Sequence, residues 1–298
     1  MVVDTTYLAF PKHVTEEIDL LSRALGSAYR IFVFSDYGGT LVPETSSGCE
    51  EPSSPLLSRL EKLSNVDSFS IFVMSGKTVE ELDGALGLDG IGLVGQSGFE
   101  IRKPGGEILH PVDVGTARGL LQRLELEAHG CLDDYPGVVV YNKGFSVVAE
   151  HGACSREDVR AVTRRFSDLA RRLDGHGQLE LIYRASALEA RVAGWCKGDA
   201  IKHLLRDVSV DDTLAIYIGN DVTDEEAFEA LLDWSDEGAA GSVWMMGDPE
   251  ADDEPVPSAL PILVSPTPRP TRATLFVRGP HEVYEFLSSM TAIATALL

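Results

Sequence analysis

Short apolar, β-branched runs alternate along this chain with stretches whose apolar residues recur every three or four positions. Ile31–Phe34 reads as a strand, and Leu56, Leu57, Leu60 and Leu63 carry helical spacing. Phe69–Met74 reads as a second strand, followed by a helix through Val79, Leu82, Ala85 and Leu86. Further on, Leu214–Ile218 reads as a strand and Glu225–Leu232 as a helix. These strand runs show no polar alternation, so both faces are covered, and strands of that kind each followed by a helix describe a parallel sheet. The expected fold class is α/β with a Rossmann-like parallel-sheet core.

The middle of the chain differs. Val138–Tyr141, Ser146–Ala149, Leu179–Tyr183 and Leu188–Val192 are strand candidates, and between the second and third lies a helix with the apolar stripe Val159, Val162, Phe166, Leu169 and Leu173. That order fits an α+β unit with an antiparallel sheet. It predicts a core made of residues 1–108 and 193–298, with residues 109–192 inserted as a separate domain. Arg156, Arg160 and Arg164 recur every four residues on the inserted helix and read as its solvated face. The proline-rich stretch from Asp248 to Pro270 reads as loop or edge. Gly90, Gly92 and Gly95 match the spacing GxGxxG, but no helix pattern begins after them, so the match gives only weak support for a dinucleotide.

Composition narrows the function classes. Over 298 residues, 44% hydrophobic and 24% charged residues are ordinary for a soluble globular protein. No run of about 18 apolar residues calls for a membrane span. The opening Met1-Val-Val-Asp-Thr-Thr6 has no basic segment followed by an apolar one, so no signal peptide is expected. Cys49, Cys131, Cys154 and Cys196 are scattered, which suits free thiols in a cytoplasmic protein. A net charge of −22 argues against nucleic acid or an anionic membrane as partner. Much of that acid lies in solvated-looking runs such as Asp248–Glu254. An anionic substrate would need a local cluster of positive groups, or a metal, to overcome this field.

Loops at the carboxyl ends of parallel strands share one edge, where ligands bind. Here those loops carry Asp36-Tyr-Gly-Gly-Thr40, Ser75-Gly-Lys77, Lys197-Gly-Asp199 and Gly219-Asn-Asp-Val-Thr-Asp-Glu225. Together they suit phosphoryl transfer. Asp36 can act as a carboxylate nucleophile. Glycines let backbone N–H groups approach phosphate oxygens, and the Ser75 hydroxyl adds a donor. Lys197 supplies positive charge, and oxygens of the last loop, among them Asp221 and Asp224, would hold Mg²⁺, a cation that prefers hard ligands. Each loop taken singly also has a plain structural reading, as a turn, a helix cap or a surface lysine.

With these four loops in this order, the chain resembles the haloacid-dehalogenase superfamily and, more narrowly, the trehalose-6-phosphate phosphatase family. The carrying residues are Asp36-Tyr-Gly-Gly-Thr-Leu41, Ser75-Gly-Lys77, Lys197-Gly198 and, most specific, Gly219-Asn-Asp-Val-Thr-Asp-Glu-Glu-Ala-Phe228. The resemblance runs from about Ala28 to Leu287. It implies hydrolysis of trehalose 6-phosphate to trehalose and phosphate through an aspartyl phosphate on Asp36, with Mg²⁺ as cofactor. It places Mg²⁺ on Asp36, the backbone carbonyl of Gly38 and Asn220, and phosphate on Gly39, Thr40, Ser75, Gly76 and Lys197. The insertion becomes a cap closing over the sugar, with Lys143 and Glu189 where family members contact the disaccharide. A trehalose-synthesis partner protein is implied as well.

The departures from the pattern bear on activity. Gly38 stands where the family has the aspartate that protonates the leaving oxygen and then activates water, and loss of such help typically costs ~10²–10⁴ in rate. Asn220 replaces a carboxylate, so Mg²⁺ should bind more weakly. In the cap, Glu150-His-Gly152 replaces a His-Tyr-Arg run, and in the core Ser97-Gly98 stands where the family often has His-Gly. An impaired phosphatase, a pseudophosphatase that binds a sugar phosphate or regulates a partner, and a phosphatase for another sugar phosphate all remain open at this point.

Overall fold

The computed structural model describes residues 8–45, 48–49, 51–184, 186–241 and 256–296. The chain divides into two compact units, residues 1–109 with 196–298, and residues 110–195. In chain order the first unit opens with β1 (Lys12–His13), α1 (Ile18–Ser27), β2 (Arg30–Asp36) and the short strands β3 (Glu44–Thr45) and β4 (Gly48–Cys49). It continues with α2 (Ser54–Ser64), β5 (Phe69–Met74), α3 (Val79–Leu86), β6 (Gly92–Gly95), β7 (Glu100–Arg102) and β8 (Ile108–Leu109). The second unit holds α4 (Gly115–Leu132), β9 (Val139–Asn142), β10 (Ser146–Glu150), α5 (Arg156–Leu173), β11 (Leu179–Tyr183) and β12 (Ala187–Val192). The chain then returns to the first unit with α6 (Lys197–Leu205), β13 (Thr213–Gly219), α7 (Asp224–Gly241), β14 (Ala259–Val264), β15 (Leu275–Val277) and α8 (Pro280–Ala296).

The main sheet runs β1-β15-β14-β13-β2-β5-β6-β7-β8. Every pairing from β1 to β6 is parallel, and β7 and β8 add an antiparallel end. Successive side chains of each central strand go to opposite faces. Ile31, Val33, Ile71, Val73, Ile216 and Ile218 pack with buried leucines of α1, α2 and α3 on one face. Phe34, Phe72 and Tyr217 pack with residues of α6 and α7 on the other. This is the α/β class expected, with both faces covered. Phe34 and Phe72 stack with centroids 5.3 Å apart, and full burial of such a ring contributes roughly 1.5–3 kcal/mol.

Local chemistry sets several helix starts. Ser53 accepts from the Leu56 N–H, Thr78 and Glu81 form a reciprocal capping box, and Ser155 caps α5. Helices α1 and α4 start without a side-chain cap, which leaves them without the usual sequence signal, and neither was anticipated. The second unit is an antiparallel sheet ordered β11-β12-β10-β9, with α4 and α5 packed on it. Arg156, Arg160 and Arg164 are exposed.

The reading of Asp248–Pro270 as loop or edge needs correction. Residues 242–255, the acidic run 248–254 among them, lie outside the described residues, as do the first seven. Beyond them β14 lies inside the sheet, between β13 and β15. Pro261 is tolerated there because its carbonyl side faces the start of β15, where it accepts from the Thr274 N–H at 3.1 Å. The ladder with β15 begins only at Ile262 opposite Leu275, so the missing proline N–H costs no regular bond. The Gly90–Gly95 match proves to lie on and before the buried strand β6, which leads through a single 3-10 turn at Gln96–Gly98 into β7 rather than into an α-helix.

The two ends of the described chain are tied together. His13, buried on β1, contacts Glu282 of α8 at 2.9 Å through Nε2. Glu282 also accepts from the Arg278 N–H at 2.7 Å and the Arg278 guanidinium at 2.9 Å. Burial acts to raise the Glu282 carboxyl, but these donors outweigh it and hold it down at about 2. A depressed carboxyl stabilises the fold above its unfolded value and loses that contribution as pH falls. Glu282→Gln should therefore lower the thermal midpoint at pH 7, and the gap from wild type should close between about pH 4.5 and 2 as the wild-type carboxyl titrates. Thermal melts across that range check it.

Candidate active site

The sheet register brings the four loops to one edge. Asp36 ends β2 opposite Met74, so Ser75 begins one residue further along the neighbouring strand. On the other side Ile218 pairs with Ser35, which brings Gly219 and Asn220 level with the Asp36 loop. Helices α6 and α7 start at Lys197 and Asp224, above the same carboxyl edge.

Lys197 joins the loops electrostatically. Its ammonium donates to Asp36 Oδ1 at 2.5 Å and to Asp224 Oδ1 at 2.7 Å. Only 3% of the lysine side chain is exposed, so this cation is out of reach of bulk water. Burial works against the ammonium, but Asp224 and Asp36 outweigh it and raise Lys197 above its ordinary value. Burial raises both carboxyls, with Lys197 pulling each back down. The lysine is thus a fixed charge held between two acids.

Asp224, expected as a metal ligand, has its oxygens filled. Oδ1 accepts from Lys197 and from the Tyr217 hydroxyl at 2.7 Å. Oδ2 accepts from the Asn220 and Asp221 N–H groups at 2.8 and 2.9 Å. Gly219 makes this possible, because a Cβ there would lie 2.4 Å from the Asp224 carboxyl carbon. Asp221 also departs from expectation: its Oδ1 caps α7, accepting from Thr223 through N and Oγ1 and from the Asp224 N–H. Through these bonds both acids shape the last loop.

Asn220 lies against the Asp36 loop. Its amide has Gly38 O at 2.9 Å, Thr40 Oγ1 at 3.0 Å and Asp36 Oδ2 at 3.2 Å. Carbonyl and carboxylate oxygens only accept, so the amide nitrogen faces them. Gly39 sits at φ +77°, and a Cβ there would come within 2.4 Å of this amide. Among the described residues, no group of three or more His, Cys, Asp or Glu is arranged to hold a metal. The oxygens that suit Mg²⁺ are Asp36 Oδ2, the Gly38 carbonyl and Asn220 Oδ1 once its amide turns over. That set of hard donors fits a cation that keeps several waters, and it carries one charge.

Ser75 is buried, and its Oγ accepts from the Lys77 N–H at 3.2 Å, folding Ser75-Gly76-Lys77 into a tight turn. Gln96 and Ser97, after β6, both take positive φ, at 50° and 57°. Their N–H groups donate to Lys77 O and Ser75 O at 2.6 and 2.8 Å, so backbone strain at this pair braces the Ser75 loop. Sequence reasoning missed this bracing, and missed Tyr217 and Arg269. Tyr217 carries a hydroxyl inside an otherwise apolar strand, which was a usable signal. Arg269 donates to Glu225 at 2.8 Å and to the Asn220 carbonyl at 3.4 Å. Its proline-rich surroundings gave no hint of that.

Lys143 and Glu189 belong to the second unit and lie near one another there. Lys143 occupies the turn between β9 and β10, its N–H donating to Ser146 O at 2.8 Å. Glu189 is buried and accepts from the Ser146 hydroxyl at 2.6 Å. Burial acts to raise its carboxyl, but Arg184 and Lys143 outweigh it and keep it below the usual range. On the same strand face Arg191 donates to Glu180 at 2.8 Å through Nε. His151 is buried as well.

The sequence matches the trehalose-phosphatase family over residues 34–246. The chain belongs to this family. The bifunctional trehalose-6-phosphate synthase/phosphatase of Thermoproteus tenax is 33% identical over 221 residues, covering 71% of this chain and 29% of that protein. The chain thus matches less than a third of that relative's length. Among solved structures, a trehalose-6-phosphate phosphatase related protein superposes with a TM-score of 0.68 at 25% identity, covering 89% of this chain and 99% of that one. A haloacid-dehalogenase-like hydrolase from B. subtilis superposes with a TM-score of 0.53 at 13% identity, covering 86% and 98%, a likeness of fold. The parallel-sheet core of this trehalose-phosphatase family member is haloacid-dehalogenase-like.

Removing Lys197 should expose its role in holding the site together. In Lys197→Met the two buried carboxylates face each other without their shared cation, and breaking such a pair typically costs about 3–5 kcal/mol. The penalty should be largest at high pH and shrink as pH falls and the acids protonate. Urea denaturation at several pH values measures both.

Proposed function

We propose that this chain hydrolyses trehalose 6-phosphate through an aspartyl phosphate on Asp36, with turnover slowed by Gly38. The observation that carries the reading is Asp36 at the sheet edge, held at 2.5 Å by a buried lysine that Asp224 orients in turn. A carboxylate oxygen of Asp36 attacks phosphorus while the bond from phosphorus to the sugar oxygen breaks. The leaving oxygen takes its proton from water, because residue 38 has no side chain to give one. Water then cleaves the aspartyl phosphate, releasing orthophosphate and restoring Asp36. The Ser75 hydroxyl and N–H groups around Gly39, Thr40 and Gly76 receive the phosphoryl oxygens, and Lys197 offsets their charge. Mg²⁺, held by Asp36, the Gly38 carbonyl and Asn220, would neutralise charge that builds on the phosphoryl group.

In the second unit, Lys143 and Glu189 are assigned to the sugar hydroxyls, since a buried ionised carboxylate accepts from one hydroxyl while the lysine ammonium beside it donates to another. The free thiols of Cys131, Cys154 and Cys196 support a cytoplasmic setting, and among the described residues no helix is long and apolar enough to cross a membrane. The combined name of the Thermoproteus relative is the ground for proposing a trehalose-synthesis partner. A second reading, ligand binding without turnover, is favoured by the Asn220 amide resting on Asp36 and by the lack of a side chain at 38.

Phosphate release from trehalose 6-phosphate with Mg²⁺ tests the reading. Wild type should release phosphate slowly, Asp36→Asn should release none, and Gly38→Asp should gain about 10²-fold or more. Equal release by wild type and Asp36→Asn would sink the nucleophile assignment. Retained binding of the sugar phosphate with no release by wild type would instead select the second reading.

A further inference from the structure

The Asn220 amide contacts the same two oxygens that a divalent cation would take, Asp36 Oδ2 at 3.2 Å and Gly38 O at 2.9 Å. Both atoms are acceptors only, so without a cation they need a donor, and the amide nitrogen is that donor. An amide nitrogen is no ligand for a hard cation, so with its N–H turned inward the amide leaves a cation two protein oxygens here rather than three. For a cation to take all three, the amide must turn its oxygen inward. Thr40 serves either state, because its hydroxyl, 3.0 Å from the amide, accepts from the nitrogen or donates to the oxygen. A Cβ at Gly39 would come within 2.4 Å of the amide, so the amide packs directly against the loop backbone. The pieces make a two-state element with a satisfied arrangement in each state.

We infer that Asn220 is a positioning residue for Asp36 whose amide stands in for the cation, so that a divalent cation binds well only together with the phosphoryl ligand. The reason is charge. Asp36 shares its own charge with Lys197, Asp224 is spent on Lys197, Tyr217 and two N–H groups, and the amide adds none. A phosphate dianion arriving at the loops supplies the negative charge that makes turning the amide worthwhile. By linkage, the cation then tightens phosphate by the same factor. An aspartate at 220 has no hydrogen to donate and would leave the two oxygens open to a cation at all times. This inference rests on the reading of the four loops as a phosphoryl site.

Isothermal titration of Mg²⁺ into wild type and Asn220→Asp, with and without saturating orthophosphate, tests it. In wild type, phosphate should tighten Mg²⁺ by about 10-fold or more, within the usual range of coupling between sites. In Asn220→Asp, Mg²⁺ alone should bind about 10-fold tighter than to wild type, and phosphate should change that affinity by less than in wild type. In ¹⁵N-labelled protein, the side-chain NH₂ resonances of Asn220 should shift and lose exchange protection when Mg²⁺ and phosphate are present together, and not with Mg²⁺ alone. Phosphate binding with Mg²⁺ affinity unchanged in wild type would overturn the inference and leave the proposed function standing. Failure of orthophosphate to bind either protein under any condition would overturn both.

Discussion

Lys197 carries its ammonium into the interior of the sheet edge, and the arrangement of the site depends on the two carboxylates that meet it there. A buried cation without partners would be expelled or lose its proton. With Asp36 on one side and Asp224 on the other, it instead fixes the end of β2 against the starts of α6 and α7. Asp224 in turn is fixed by Tyr217 and by two N–H groups of its own loop. The nucleophile candidate is therefore held by a relay of charge-assisted hydrogen bonds that begins inside β13 and ends at Asp36. Such networks specify geometry because leaving any one member unpaired is costly.

Much of this was legible in the sequence, for identifiable reasons. The runs Phe69–Met74 and Leu214–Ile218 are long enough in apolar residues to fix parallel strands buried on both faces, and the loops after them then had to share an edge. Asp36, Ser75, Lys197 and Asn220 followed from that placement. The tasks of Asp221 and Asp224 did not. An acid after a strand reads alike as a ligand or as a cap, and only the hydrogen-bond partners separate the two. Strand β14 was obscured because proline normally argues against an interior strand, and its tolerance depends on which side of the strand the missing N–H faces. Helices α1 and α4 were obscured for want of caps.

Position 38 and position 220 belong together. Gly38 brings a backbone carbonyl and no side chain, and the Asn220 amide lies 2.9 Å from that carbonyl and 3.2 Å from Asp36 Oδ2. The amide of Asn220 fits against the backbone at Gly38 and Gly39 closely enough that any Cβ at 39 would collide with it. Local packing and the hydrogen bonding of the loop are thus consistent with one another at both places.

The pairing of β2 with β13 has a consequence for how the chain acquires its structure. These two neighbours at the centre of the sheet lie on opposite sides of the inserted unit in sequence, as do Asp36 and Lys197, 161 positions apart. Loop-closure entropy grows only with the logarithm of loop length, so an insertion of this size adds little to the equilibrium cost. The rate is another matter, since long-range parallel pairings are among the slowest to form. Until the distal half of the chain returns, β2 lacks one of its two neighbours in the sheet, and an apolar edge open in this way is prone to pair with other chains.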